Sequence, residues 1–585
     1  AYGFNEVVIE VNMPRSGYLV LADNWFPGWK AYDTQPNQDE QEIPLYRANG
    51  TFRAVPLGPG QHRVRFKYTP LSFKLGLFGS FVAGVVLLLL VGYWLWRRLY
   101  SGEREEQDVQ RVAKNALTPM VLSLLNRAID MAFAMLYLRI LAPEGAGRYQ
   151  FATNFIGYFE TALLFGLGTL ITREMSKHRE QTNRYVSNSV VLRMLIWLIL
   201  LPILGAIVYG YVRFFSLTGD TVAAIFFFFV ALIPSLIADS FTAVFYAHEK
   251  MEYPAAITSV TTLMRVTLGT LALLLGYGFV GMAATTLLVN IGTALILGFL
   301  ATRMFFRPKL EFDPPFARNM ACESLPLMVN NLLSRIFFQV DVLLLRPLRG
   351  DVEVGYYGAS YRYIRMLDII PSYFTLAIFP LISRFAESSR ESLIRAYILS
   401  VKILIMIALP IAVGITFIAR ELILVLAGPE YLPHSMVALQ FLIWYMPVGF
   451  INSITHYVLI AINQQRFLTK AFAFGAVFNI LTNLLLIPHY GYVAAAIVTV
   501  LSEIALFLPF YYGVRKNLTT LPWWEIFWRP SAAAVLMAVV MWLLRHTTVL
   551  LTIPVAVTTY LVALIALGTF RQPDVALVMQ LFPAG

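Results

Sequence analysis

One cysteine, Cys322, stands in 585 residues. A single thiol excludes an internal disulfide framework and any cysteine-rich metal site. It reads as a small apolar residue near a helix start. Charge is also sparse: Asp, Glu, Lys and Arg make up 14% of the chain, against 58% hydrophobic residues. A soluble chain of this length could not cover its surface with so few polar groups. A Walker A loop is missing, so ATP-driven export by this chain alone is not expected. The segments between apolar runs are too short for the metal-binding or acidic catalytic loop of a membrane glycosyltransferase. The sequence therefore points away from an enzyme. The net charge of +11 would suit nucleic acid. The basic residues, however, sit mostly in short loops between apolar runs, where membrane proteins collect Lys and Arg. No nucleic acid, metal or cofactor is expected. The chain opens Ala1-Tyr2-Gly3, without Met or a signal-peptide pattern. It is read as a fragment of something longer or a processed chain.

Residues 1–70 differ from the rest. Period-two alternation runs through Glu6–Val11, Tyr18–Asp23, Glu42–Arg47, Thr51–Val55 and His62–Tyr68. Asn49-Gly50 and Gly58-Pro59-Gly60 are among the turns between them. The pattern predicts a small antiparallel β sandwich or meander. Trp25 and Trp29 flank Phe26-Pro27-Gly28; they read as core packing first and as a sugar-stacking platform second.

The remainder is dominated by apolar runs of about twenty residues, the length a helix needs to cross roughly 30 Å of hydrocarbon. Leu75–Trp96 is one, closed by Arg97-Arg98 and followed by a charged linker, Ser101–Lys114. Fourteen more are predicted at 117–141, 150–172, 188–212, 222–246, 254–276, 279–302, 320–345, 355–382, 393–418, 435–462, 467–487, 491–513, 526–545 and 548–570. With 97–115 cytoplasmic, the loops on that side and the tail carry about 23 Lys and Arg, and the opposite loops about 7. That asymmetry puts residues 1–70 outside and the C-terminus inside the cytoplasm.

Twelve of the fourteen runs repeat. At an offset of 208, Arg127 aligns with Arg335, Gly147 with Gly355, Tyr149 with Tyr357, Glu160 with Asp368, and Leu201-Pro202 with Leu409-Pro410. At 213, Tyr277-Gly278 aligns with Tyr490-Gly491, Val280 with Val493 and Ala283 with Ala496. Six spans per repeat place both halves in the same orientation, related by an axis along the membrane normal. The expected fold is an all-α polytopic membrane protein. It has two pseudo-symmetric six-helix bundles (116–307 and 308–518) and two C-terminal helices (519–585). A small extracytoplasmic β domain (1–70), one extra transmembrane helix (71–98) and a cytoplasmic linker (99–115) precede them.

This layout resembles the multidrug/oligosaccharidyl-lipid/polysaccharide (MOP) flippase superfamily, above all its Wzx-like polysaccharide-export branch. The stretches that carry the likeness are Asn479–Ala496, with Asn483, Pro488 and Gly491, and Leu426-Ala427-Gly428-Pro429-Glu430-Tyr431. It covers about residues 112–570. The terminal pair of spans is similar to branches with fourteen spans, the lipid II flippases among them. Residues 1–75, through Gly17–Lys30, Tyr46–Ala54 and the run to Tyr68-Thr69-Pro70, resemble the C-terminal end of YfhO-type bacterial membrane proteins. Those are glycosyltransferase-like proteins of sugar-polymer assembly, and no catalytic residue carries over.

Several charges lie within the apolar runs, where each costs about 2.5–3.5 kcal/mol on insertion scales and so faces protein or water. Arg127 has Asp130 on the same helical face. Arg335 has Gln339 one turn on and Asp341 slightly off that face. Arg362, Arg365 and Asp368 form a stripe, with Glu160 the first-half counterpart of Asp368. Arg265 and Glu503 are isolated. These ten residues, Arg127, Asp130, Glu160, Arg265, Arg335, Asp341, Arg362, Arg365, Asp368 and Glu503, are the candidate lining of a hydrated central cavity. A guanidinium can hold a phosphate through two parallel hydrogen bonds. The competing reading closes Arg127–Asp130 and Arg365–Asp368 as internal ion pairs. Arg193 and Lys402 are expected to snorkel near cytoplasmic ends, and His456 to be a satisfied interior histidine. Pro202, Pro234, Pro371, Pro410 and Pro447 fall within spans and permit kinks.

Cationic cavities are a property the resemblance implies for lipid II flippases. The expected function is transport of a lipid-linked oligosaccharide across a bacterial cytoplasmic membrane by rocking of the two halves. The expected partners are membrane lipid, a polyprenyl-phosphate-linked glycan, and glycosyltransferases and polymerases of polysaccharide assembly. Coupling to Na+, H+ or membrane potential stays open. The alternatives are a MATE-like drug or cation antiporter, whose cavities favour acidic residues, and one part of a larger fused glycosyltransferase–flippase.

Overall fold

The computed structural model describes residues 6–35, 41–68 and 108–569, His546 excepted, with single positions at 70, 76, 79 and 83. The expected span 75–96 and most of the linker 101–114 lie outside the described residues. The chain divides into two compact units, Ala1–Trp94 and Leu95–Gly585.

In the first unit, seven strands build two antiparallel sheets: β1 (Glu6–Met13), β2 (Gly17–Asn24), β3 (Trp29–Thr34), β4 (Gln41–Ile43), β5 (Tyr46–Ala48), β6 (Phe52–Leu57) and β7 (Gly60–Tyr68). The orders are β1-β7-β3-β4 and β2-β6-β5. Alternate residues of each strand point inward. Val7, Ala31, Val64 and Phe66 of one sheet and Val55 and Leu57 of the other share a core. The run Glu42–Arg47 is cut at Pro44 into strands of different sheets, because proline cannot donate to a ladder. Strand β3 was not expected. Asp33 breaks its apolar alternation, and His62 Nδ1 meets that carboxylate at 2.7 Å. Trp29 lies opposite Tyr68, with the buried Arg53 guanidinium 3.6 Å from its ring centroid. It is a packing residue.

The second unit is helical: α1 (Asp108–Leu164), α2 (Leu167–Lys177), α3 (Thr182–Phe215), α4 (Gly219–Ala247), α5 (Glu252–Leu274), α6 (Gly278–Met304), α7 (Pro314–Arg349), α8 (Asp351–Leu367), α9 (Ile369–Ser388), α10 (Arg390–Leu426), α11 (His434–Leu442), α12 (Tyr445–Ala461), α13 (Gln465–Asn517), α14 (Trp523–Leu543) and α15 (Val549–Ala566). Among the described residues, twelve helical stretches are long and apolar enough to cross a membrane. Fourteen runs were expected in this region; the count falls to twelve because two pairs of runs have no coil between them. α1 turns at Ala142 (φ 55, ψ 178) and α13 at Gly491 (φ 57, ψ −136). Pro202, Pro234 and Pro410 are interior to α3, α4 and α10. Pro371 and Pro447 instead fall in the first turns of α9 and α12, where a missing N–H costs no helical bond.

The cores segregate along the chain. One continuous core spans Phe337 to Leu564 and takes in α14 and α15. The first half divides its apolar residues among smaller clusters around Phe151–Ala283, Leu167–Ala247 and Ala238–Ala301. The halves meet closely where α1 crosses α8. A Cβ on Gly147 would overlap the Asp351 carbonyl oxygen, and one on Gly355 would overlap the Pro143 carbonyl oxygen. Each of these contacts becomes the other under the offset of 208. That exchange is the mark of an isologous contact about a local twofold. Glycine is required there because only a missing side chain lets backbones approach so closely.

Candidate functional site

Two spans of the second half are broken, and the breaks face each other. α8 stops at Leu367, and Asp368 stands between it and α9. α11 stops at Leu442, and α12 starts at Tyr445. Irregular backbone at membrane depth is tolerated where it lines a cavity. Here the cavity measures ≈ 510 Å³ and is lined by residues of α7, α8, α9, α12 and α13, together with Asp368. Arg365, Asp368 and Glu503 all contribute to its wall. The Tyr445 hydroxyl approaches the Asp368 carboxylate. Glu503 is 2% exposed and accepts the Asn452 side-chain N–H at 2.6 Å. His456 faces the same space, its ring packed against Phe472 and Phe510. Every lining residue comes from the second half.

A second constellation spans the halves. Arg127 Nη1 of α1 donates to the Arg365 carbonyl oxygen of α8 at 2.6 Å. Arg335 of α7 lies across Gly157 of α1, donates to Thr161 Oγ1 at 3.2 Å and sits 5.5 Å from the Tyr158 ring centroid. Glu160, half-buried, is near enough to Arg335 to act on its charge. Arg362 of α8 stacks 5.0 Å from the ring of Tyr137 of α1. Asp130 of α1 pairs with Arg265 of α5. Asp341 is buried; it accepts the Tyr357 hydroxyl and the Val342 amide. It edges a small crevice that Gln150 and Asn154 of the first half also line. Arg365 borders both this crevice and the larger cavity.

The ten candidate residues thus sort into three groups. Arg127, Glu160, Arg335 and Arg362 stand at the junction of the halves. Arg365, Asp368 and Glu503 line the second-half cavity. Asp130, Arg265 and Asp341 are engaged in local polar pairs. The same-helix pairing of Arg127 with Asp130 does not form, because the Asp130 carboxylate turns to Arg265 while Arg127 reaches across to α8. Arg265 and Glu503 looked isolated; each has a partner from another helix. Arg193 does not snorkel. It is fully buried, bonded to Asp239 Oδ2 (2.7 Å), Ser240 Oγ (2.7 Å) and the Leu236 carbonyl (2.9 Å). Asp239, Tyr445 and Asn452 were missed. Asn452 had the same signal as His456, a polar residue in an apolar run. Tyr445 had none.

Two family models match the chain: "Polysaccharide biosynthesis protein" over residues 112–386 and "MatE" over 326–485. Over 224 residues the chain is 28% identical to an uncharacterized membrane protein, MJ1068, of Methanocaldococcus jannaschii, covering 37% of this chain and 43% of that one. Over 178 residues it is 26% identical to the probable flippase AglR of Haloferax volcanii, covering 30% and 37%. The matched segment thus spans less than half the length of either curated relative. Among solved structures, the fold is similar to the lipid II flippase MurJ in an inward closed conformation. The TM-score is 0.65 at 15% identity, covering 76% of this chain and 98% of that one. It is also similar to an inward-facing MATE-family multidrug-resistance transporter of the MOP superfamily, with TM-score 0.54 at 18% identity, covering 66% and 93%. The family matches begin at residue 112, so the resemblance of residues 1–75 to YfhO-type proteins gains no support. The matched families are transporters and not enzymes; over the matched segments the chain is similar to them, and its described helices are those of a multi-pass membrane protein with a MurJ- and MATE-like fold.

Proposed function

We propose that this protein flips a lipid-linked oligosaccharide across a cytoplasmic membrane by alternating access. Its two halves, 116–307 and 308–518, rock about a pseudo-twofold axis. The observation that carries the reading is the junction of the halves, where arginines of both gather: Arg127 from the first, Arg335 and Arg362 from the second, with Arg365 adjoining. A polyprenyl-phosphate-linked glycan carries its charge between lipid and sugar. Guanidinium groups at that depth would hold a phosphate through paired charge-assisted bonds while the lipid tail stays in the bilayer. The reciprocal Gly147 and Gly355 contacts support a rocking twofold. The Lys and Arg asymmetry of the loops supports residues 1–70 outside and a cytoplasmic C-terminus. Glycosyltransferases that load the carrier and polymerases that consume it are the partners this reading implies. The test replaces Arg127 and Arg335 with Ala and measures glycan appearing outside. Export is expected to fall at least tenfold in the double variant; normal export at normal expression would refute the role of the junction.

A further inference from the structure

We infer that the cavity within the second half is a subsite for a sugar ring of the cargo, set beside the arginine junction that meets its phosphate. This rests on the flippase reading and goes beyond it, because the junction alone would serve any lipid phosphate. Four side-chain acceptors stand in the polar wall, beside Arg365 and several hydroxyls. The carboxylates of Asp368 and Glu503 line it. Asn452 Oδ1 and Gln339 Oε1, on two further lining residues, are buried without a donor. Buried acceptors left without a donor suit a ligand that brings O–H groups. The wall also offers aromatic rings, Tyr361, Tyr457 and Phe472 among them. Ring faces pack against the C–H faces of a pyranose while its hydroxyls reach the carboxylates.

Size separates this from an ion site. Oxygen ligands hold hard cations at roughly 2.0–2.6 Å. A space of ≈ 510 Å³ is instead of the order of a small-molecule pocket, roughly 300–1,000 Å³. Among the described residues, no group of three His, Cys, Asp or Glu could hold a metal ion. Position supplies the rest. Arg365 lines the cavity, and its carbonyl receives Arg127 of the junction. Phosphate and first sugar are covalent neighbours in such a cargo, and here the two environments are neighbours across one residue.

The test uses the full chain in detergent, four lipid probes (polyprenyl diphosphate without sugar, and the same lipid bearing glucose, galactose or N-acetylglucosamine) and tetraphenylphosphonium as a cation control. Wild type is expected to bind at least one glycosylated probe about tenfold more tightly than the bare lipid, about the size of one charge-assisted hydrogen bond. Glu503→Gln should bring the ratio of glycosylated-probe to bare-lipid affinity down to about one. Ser453→Trp, which fills the cavity with an apolar ring, should do the same and serves if the first variant is poorly folded. Arg127→Ala should weaken all four probes alike. Equal wild-type binding of all four would overturn the subsite and leave the flippase reading standing. Binding of none would sink both. Loss of tetraphenylphosphonium binding in Glu503→Gln, with the glycan advantage intact, would make the cavity a cation site and overturn the proposal.

Discussion

The two halves of the membrane unit share a helical plan, yet they dispose of their polar groups in opposite ways. The first half buries Arg193 and surrounds it with Asp239, Ser240 and a carbonyl, leaving little open. The second half breaks two spans and leaves acids facing a cavity. Around Arg193 charge is consumed by structure; around Asp368 and Glu503 it lines a cavity. A duplicated skeleton therefore does not dictate duplicated chemistry. Glu160 and Asp368 occupy equivalent positions, but only Asp368 stands at a helix break facing open space.

Breaking the closed network should have the largest effect. Arg193→Ala leaves Asp239 without its partner and is expected to cost about 3–5 kcal/mol, seen as loss of folded yield and a lowered melting temperature in detergent. Glu503→Gln in the open half should cost under about 1 kcal/mol, since the amide oxygen still accepts from Asn452. Equal losses in the two variants would erase the contrast. Next is the reciprocal crossing. Gly147→Ala and Gly355→Ala should each destabilise by about 1–3 kcal/mol, because the added methyl must displace a backbone carbonyl. The two values should agree within about 0.5 kcal/mol if the contacts are equivalent; a one-sided effect would deny the twofold. The Asp130–Arg265 pair, with both side chains about two-fifths exposed, should show a coupling of only about 0.5–1 kcal/mol in a double-mutant cycle. The smallest effect concerns the loop between the halves. Arg184 beside Asp313, helped by the Phe316 amide, holds the Asp313 carboxyl below its ordinary value. A depressed folded value means the contribution is present above the ordinary aspartate range and fades as pH falls through the lowered one. Asp313→Asn should lower the melting temperature slightly at neutral pH, where the contribution is present, leave the lowest pH nearly unchanged, and so flatten that part of the acid-side slope in a melting-temperature-against-pH series.

Much of the architecture was legible in the residues. Runs of about twenty apolar residues announce spans because no other local structure satisfies its backbone in hydrocarbon. Matched pairs such as Gly147 and Gly355 were read as a repeat, and the contacts of that pair exchange at the crossing. Strand β3 escaped because Asp33 interrupts its pattern, and the partner that permits Asp33 inside, His62, lies on another strand. The Arg127–Asp130 pair was the competing local reading. The true partner, Arg265, stands on α5, beyond the reach of i to i+4 reasoning.

The chain by itself determined its solvent and where its apolar runs lie, because transfer of apolar side chains to lipid is a property of each residue summed along a segment. It also determined which charges would be trapped at depth, since their positions within those segments are written in order. Where each charge would find its counterpart was decided only when helices packed. Coulomb and hydrogen-bond energies depend on distances of a few ångströms, and those distances are set between residues far apart in sequence. That is why Arg193 became part of a closed core, while Glu503 became part of an open wall.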